Sequence, residues 1–307
     1  VSTDVPWSDS KSFSRLLGKD IVSPYPEPDK HHIAWATEEK DKRFASFIVD
    51  VDENGRQVES TCNADELSNI FTDRSTPHFL TPVFFNREVL SKYYQEPSRY
   101  TVSDRDVSCL DLWSVDIDTT EEDLVQVWLG DLGRIPYKEQ LHWRQFNVRP
   151  RGTVTKQRFL RDFMATPTEI TDPIYRFRAA FERVQGVAKE KYKEDLFLVL
   201  DEKDKHAYET LHLPLTEEWK EFDEQMQALA KISVDSLNVK LLSTQSGHKI
   251  DGTAIKGSID LLEVFLEGIG ARDPLKSEVG HALHLLQMIR STGVAHRKGS
   301  EFEKVLK

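Results

Sequence analysis

Past Asp172-Pro173 the apolar residues of this chain return every third or fourth position, whereas before it they alternate in short runs. One secondary-structure type cannot satisfy both periods, so the two parts must bury their apolar faces differently, one as sheet and one as packed helices. Asp172 offers a side-chain acceptor for a helix start, and Pro173 suits the first helical position. Ile174, Phe177, Phe181, Val184, Ala188 and Tyr192 then follow at helical spacing. A second stripe is Trp219, Phe222, Met226 and Leu229, continuing past Val234, and a third is Ile259, Leu262, Leu266 and Ile269, closed by Gly270. Asp273-Pro274 opens a fourth, Leu275, Val279, Leu283, Leu286 and Ile289, while Leu196–Leu200 is a short apolar run of either type. Four amphipathic helices on short links predict a bundle.

Upstream, Phe44–Val51 reads as a strand, and Glu53-Asn54-Gly55-Arg56 as a hairpin turn into Gln57–Cys62. Short helices are expected over Asp65–Phe71 and Arg87–Tyr94. Val107–Asp118 and Leu124–Leu129 are rich in β-branched and aromatic residues and predict strands, with Trp113 and Trp128 in the core. Pro24, Pro26 and Pro28 block regular structure in an extended, loop-rich segment over residues 1–43. The expected fold class is therefore α+β. A mixed, sheet-containing domain over 44–165 precedes a helical bundle over 166–307.

The chain of 307 residues has 38% hydrophobic and 30% charged residues, and no apolar run as long as a membrane span. Neither a signal peptide, a P-loop, a dinucleotide-binding glycine fingerprint nor a serine elbow occurs, and no cofactor is expected. Only Cys62 and Cys109 are present, which fits a reducing cytoplasm and excludes a disulfide scaffold or a cysteine zinc site. Val1 at one end and helix-like Glu303–Lys307 at the other suit a part of a larger polypeptide.

The net charge of −11 argues against a protein that coats nucleic acid in bulk, but it leaves room for a local basic groove. Residues 134–161 carry eight basic side chains against the single acid Glu139, with Tyr137, Trp143, Phe146 and Phe159 interleaved. Arg144, Arg149, Arg151, Lys156 and Arg158 are thus candidates for gripping phosphates beside stacked bases. Alternatively they neutralise residues 104–131, which hold nine acids against Arg105 alone. Glu139/His142, Glu209/His212 and Glu278/His281 share a three-residue spacing used in di-iron bundles, with His284 one turn on. They lie too far apart in the chain to converge easily, and no metal site is expected.

The sharpest chemical signal is Arg290-Ser291-Thr292-Gly293-Val294-Ala295-His296, followed by Arg297 and Lys298. A histidine moves protons near neutral pH, and a guanidinium holds a phosphate through a transition state. On a continuous helix the six-residue spacing leaves the two side chains about 120° apart, so convergence calls for Gly293 to break the helix. The alternative is a helix end decorated with cations that complement its dipole.

This Arg-x5-His pattern resembles the HEPN superfamily, over roughly the last 90 to 130 residues. The resemblance implies a helical bundle that dimerises and places two Arg/His pairs in a metal-independent endoribonuclease or RNA-binding centre. Its setting would be a bacterial toxin or antiphage defence system. Arg290 would then stabilise phosphate charge and His296 would act as acid or base. Ser291, Thr292 and Glu278 would support them, and Arg297 and Lys298 would hold nucleic acid. Ser291 stands where the family has Asn, Asp or His, which favours the other expectation, a non-catalytic interaction or dimerisation module for a nucleotide or protein partner. The N-terminal domain would recognise that partner. The stretch from His78 to Phe85 and on to Trp128–Arg134 resembles uncharacterised bacterial proteins and carries no function.

Overall fold

The computed structural model describes residues 2–8, 11–16, 43–72, 75–121, 123–170 and 172–295. The chain forms two compact units, Val1–Arg43 and Phe44–Lys307. In the first, β1 (Ser2–Ser8) and β2 (Lys11–Leu16) pair antiparallel, with a register shift between Pro6 and Ser8. A strand pair thus stands at 2–16, inside the segment expected to be loop-rich, while Pro24, Pro26 and Pro28 lie outside the described residues; Pro6 sits beside the ladder's irregularity, where a missing N–H is tolerated.

The second unit is α+β, antiparallel sheets followed by helices. β3 (Ser46–Val51) and β4 (Gln57–Thr61) form the hairpin expected at Asn54-Gly55, and Gly55 takes the left-handed φ of 76° the turn needs. The helix expected over Asp65–Phe71 shrinks to a 3₁₀ turn at Ala64–Glu66. β5 (Pro82–Asn86) follows, then a 3₁₀ turn at Arg87–Leu90 that runs into α1 (Ser91–Gln95). β6 (Tyr100–Val102), β7 (Asp106–Cys109) and β8 (Trp113–Asp116) form a meander. The single strand expected over Val107–Asp118 folds back at Leu110, whose φ is 48°.

β9 (Leu124–Trp128) is buried along its whole length and pairs with β5. α2 (Leu129–Leu132) and α3 (Tyr137–Gln145) lead to β10 (Asn147–Val148), which pairs with the other edge of β5, and then to α4 (Lys156–Asp162). One core fills this half, from Phe47, Val83 and Phe85 to Val125, Val127 and Trp143.

α5 (Pro173–Tyr192) starts where Asp172-Pro173 predicts, with Asp172 Oδ1 accepting from Ile174 N–H at 2.9 Å. α6 (Lys205–Glu209) and α7 (Trp219–Ala230) follow, and a π-helical turn at Lys231–Asp235 extends α7 past Val234. α8 (Val239–Ser246), α9 (Ser258–Gly268) and α10 (Asp273–Ala295) complete the bundle. α9 closes at Gly270 in a left-handed turn, with Gly270 N–H bonded to the Glu267 carbonyl and Ala271 N–H to Leu266. Leu241, Leu242, Leu261, Leu262 and Phe265 form its main core, and Val234, Ile259 and Leu286 a smaller one. Among the described residues no helix is long and apolar enough to cross a membrane.

The boundary expected near residue 165 separates these cores, yet Phe44–Lys307 is one compact unit. A buried seam joins the halves. Arg87 reaches Asp172 at 2.6 Å, Tyr94 and Tyr175 hydroxyls lie 3.2 Å apart, and Tyr175 donates to the Val102 carbonyl at 3.0 Å. The Tyr94 ring stacks on His212 with centroids 4.1 Å apart and planes within 8°.

Close packing also explains Gly133. A Cβ there would stand 2.2 Å from the Cys62 carbonyl oxygen, a backbone atom that cannot swing away. Gly186, inside α5, has nothing within 4 Å of such a Cβ. Gly133→Ala should lower stability by about 1–3 kcal/mol in chemical denaturation. Gly186→Ala should raise it by about 0.5–1 kcal/mol through helix propensity.

Candidate functional site

α10 carries the C-terminal motif, and it runs unbroken through Gly293 to Ala295. The break expected at Gly293 is absent. An interior glycine costs a helix only about 1 kcal/mol, too little to end one anchored by Leu286 and by its contacts with α7 and α9. Arg290 Nη1 pairs with Asp235 Oδ2 at 2.5 Å, tying α10 to the turn after α7. Ser291 Oγ donates to its own helix, to the Met288 carbonyl at 3.0 Å. Glu278 is exposed twelve residues earlier, about 18 Å away along the axis, and does not share a site with Arg290. Thr292 belongs to the last described turn. His296, Arg297 and Lys298 lie outside the described residues.

The basic segment is largely committed to acids rather than to one surface. Arg134 pairs with Asp131 at 3.2 Å, Arg144 with Glu59 at 3.2 Å and Arg151 with Asp123 at 2.7 Å. Two of these partners belong to the acidic segment, the arrangement expected of mutual neutralisation. Arg149 and Lys156 are exposed and have no ion pair among the described residues. Arg158 cannot grip nucleic acid from the surface, because its side chain is 0% exposed.

Arg158 is instead the centre of a polar pocket. Thr155 caps α4 by accepting from Arg158 N–H at 3.1 Å, and its hydroxyl donates to Asp118 Oδ2. The guanidinium lies over the Trp128 ring at 4.2 Å, donates from Nη1 to the Gln126 carbonyl and sits 3.2 Å from Asp162 Oδ2. Burial pulls its pKa down to about 10, against the pull of Asp162, Asp118 and Asp131. An adjoining open cleft is lined by Arg105, Thr120, Gln157, Arg158, Arg161 and Glu169 among others. Sequence reasoning missed this site, since its parts come from β9, the segment after β8 and α4. The polar run Asp118-Thr119-Thr120 was its one local signal.

Glu139, His142, His212 and His284 are engaged by partners other than those the three-residue spacing suggests, and Glu278 and His281 are exposed. Glu139 is buried and accepts from Lys92 Nζ at 2.7 Å and from the Tyr93 hydroxyl at 2.8 Å. His142 Nε2 faces the Val89 carbonyl at 2.9 Å, and burial lowers its pKa, so it is a neutral donor. His212 meets Glu221 at 3.2 Å rather than Glu209, and His284 meets Asp260 at 3.3 Å. No group of three or more metal-ligating side chains occurs among the described residues.

A further feature is an exposed aromatic cluster. Phe71 stacks on His78 at 4.2 Å and approaches Phe163 at 6.2 Å, and Phe163 stacks on Phe159 at 5.3 Å. Phe71 is 71% exposed, and Ile70 and Met164 flank the group. No known protein family, characterised protein or solved structure matches the chain.

Glu221 provides a pH handle on the seam. Burial works to raise its pKa from 4.5, but hydrogen bonds from Thr216 Oγ1, Leu215 N–H, Thr216 N–H and His212 outweigh it, and the net shift is downward. Its contribution is therefore present above pH 4.5 and lost as pH falls through the depressed folded value. Glu221→Gln should cost about 1–2 kcal/mol at pH 7. In urea denaturation that gap to the wild type should narrow as pH falls below 4.5.

Proposed function

We propose that the helical half is a self-association module that pairs two copies of this chain through the flank of α10 that borders its buried face. The carrying observation is an apolar stripe left uncovered there. Leu275 is 53% exposed, Ala282 is exposed, and Leu285 and Ile289 are half-buried. Residues 275, 282 and 289 are seven apart and 285 falls between, the spacing of a helix–helix seam. Glu278 interrupts the stripe at one position. The buried face of the same helix, Val279, Leu283 and Leu286, is already used by α7 and α9, so the stripe is surplus to the fold.

A second reading follows from the first: paired chains bind RNA or a nucleotide at Arg290 and cleave RNA without metal, as the HEPN resemblance implies. Arg290 and Asp235 are 30% and 45% exposed, and so open a pair contributes about 1 kcal/mol or less, leaving the guanidinium free to exchange for a phosphate. Up to Ala295 the helix makes no turn that would return position 296 toward Arg290. The HEPN resemblance implies that Arg290 and His296 of both copies face one RNA. Ser291, bonded to its own helix, favours the non-catalytic module.

The exposed cluster of Ile70, Phe71, Phe159, Phe163 and Met164 supports a protein partner on the sheet half. Cys62 and Cys109 are buried free thiols, and burial pushes Cys62 up to about 11, which suits a reducing compartment such as the cytoplasm.

Light scattering at high micromolar concentration should find a dimer for the wild type and a monomer for the double variant Leu275→Glu/Ala282→Glu. A monomeric wild type removes the self-association module. RNA incubated with EDTA should be cut by the wild type, and about 100-fold or more slowly by Arg290→Ala and His296→Ala if the dimer is a nuclease. Equal rates in all three proteins remove the cleavage.

A further inference from the structure

Arg158 is a cation held inside the sheet half with donors to spare. Nη1 is used by the Gln126 carbonyl, and Nε lies 3.2 Å from Asp162 outside hydrogen-bond geometry. Neither Nε nor Nη2 has a hydrogen-bond partner among the described residues. Leaving a buried guanidinium incompletely bonded is costly, so its remaining donors call for an acceptor. The adjoining cleft is where one would enter.

We propose that this cleft is a binding site for a single phosphoryl group, free or as a phosphate monoester. The proposal stands apart from the pairing of α10. Arginine is the side chain best matched to phosphate oxygens, and Arg105 and Arg161 line the same cleft as Arg158, together with the polar side chains of Thr119, Thr120 and Thr168. Two acids on its wall are already occupied. Asp118 accepts from Thr120 N–H at 3.0 Å, from the Thr120 hydroxyl at 2.5 Å and from the Thr155 hydroxyl. Asp172 accepts from Arg87 and Ile174 N–H. Asp104 pairs with Arg105 at 3.5 Å and Asp162 with Arg161 at 2.7 Å, both at least partly open to solvent, so an entering anion would exchange for these carboxylates, and Glu169 is the remaining acid of the lining. The free donors of Arg158, rather than a surplus of positive charge, are what would hold one phosphoryl group, and the acids interleaved with the arginines oppose a polyanion such as an RNA backbone.

Calorimetric titration of the full chain with inorganic phosphate and with adenosine 5′-monophosphate, at constant ionic strength, tests the site. Saturable binding of at least one is expected. It should weaken about tenfold or more in Arg105→Gln, Arg161→Gln and Arg158→Lys. Tighter binding of the monophosphate assigns an ester, and equal affinities assign the phosphoryl group alone. Should Arg158→Lys fail to fold, the Arg105 and Arg161 variants decide, because neither side chain is fully buried. Absence of binding at millimolar concentration of both probes, or affinities unchanged in every folded variant, would overturn the proposal.

Discussion

Asp172 holds two structures together with one carboxylate. Oδ1 caps the first turn of α5 and Oδ2 receives Arg87 from the turn that follows β5. Both side chains are buried, so the start of α5 is fixed against the turn that leaves β5, the central strand of its sheet. Removing one partner of such a pair costs about 3–5 kcal/mol, because the other is left charged in a poorly solvated place. Tyr94, Tyr175 and His212 extend the same seam, and burial raises the pKa of Tyr94 and of Tyr175, keeping both hydroxyls protonated as donors.

With that junction fixed, the surfaces that remain are few and distinct. Arg134, Arg144 and Arg151 of the basic run are paired with acids brought from α2, β4 and the turn before β9, while Arg149 and Lys156 stay exposed. The run's most buried member, Arg158, faces inward to a polar cleft. Exposed apolar surface includes the aromatic cluster around Phe71 and Phe163 and the stripe of α10 that begins at Leu275. On a chain of net charge −11, much of the basic run is thus paired with acids while apolar side chains stay exposed.

Local signals were legible wherever a few adjacent residues decide the geometry. Asp172-Pro173 starts α5, Gly270 stops α9 and Asn54-Gly55 turns the first hairpin. Elements whose buried face is not an alternating or helical stripe were not. β5 has three consecutive buried residues, Val83, Phe84 and Phe85, between helices and strands, so no period marks it. α3 buries Glu139 and Gln140 beside Trp143, and polar residues satisfied by distant partners look like surface until those partners are known. Arg158 is the same problem in the candidate cleft: its ring partner and its carbonyl acceptor come from β9, some thirty residues away. Gly293 misled in the opposite direction, since its local preference yields to the packing of the helix before it.

The claim on which these surfaces depend is that residues 44–307 fold as one body across the Arg87–Asp172 seam. Equilibrium urea unfolding followed by two probes tests it. With Trp7, Trp35 and Trp219 replaced by Phe in every protein compared, tryptophan emission reports on Trp113, Trp128 and Trp143 of the sheet half, and far-ultraviolet circular dichroism chiefly on the helices. Coincident transitions are predicted for the wild type, separating into two in Asp172→Leu. Two well-separated transitions in the wild type would contradict it, and would mean that sheet and bundle are independent domains that merely touch.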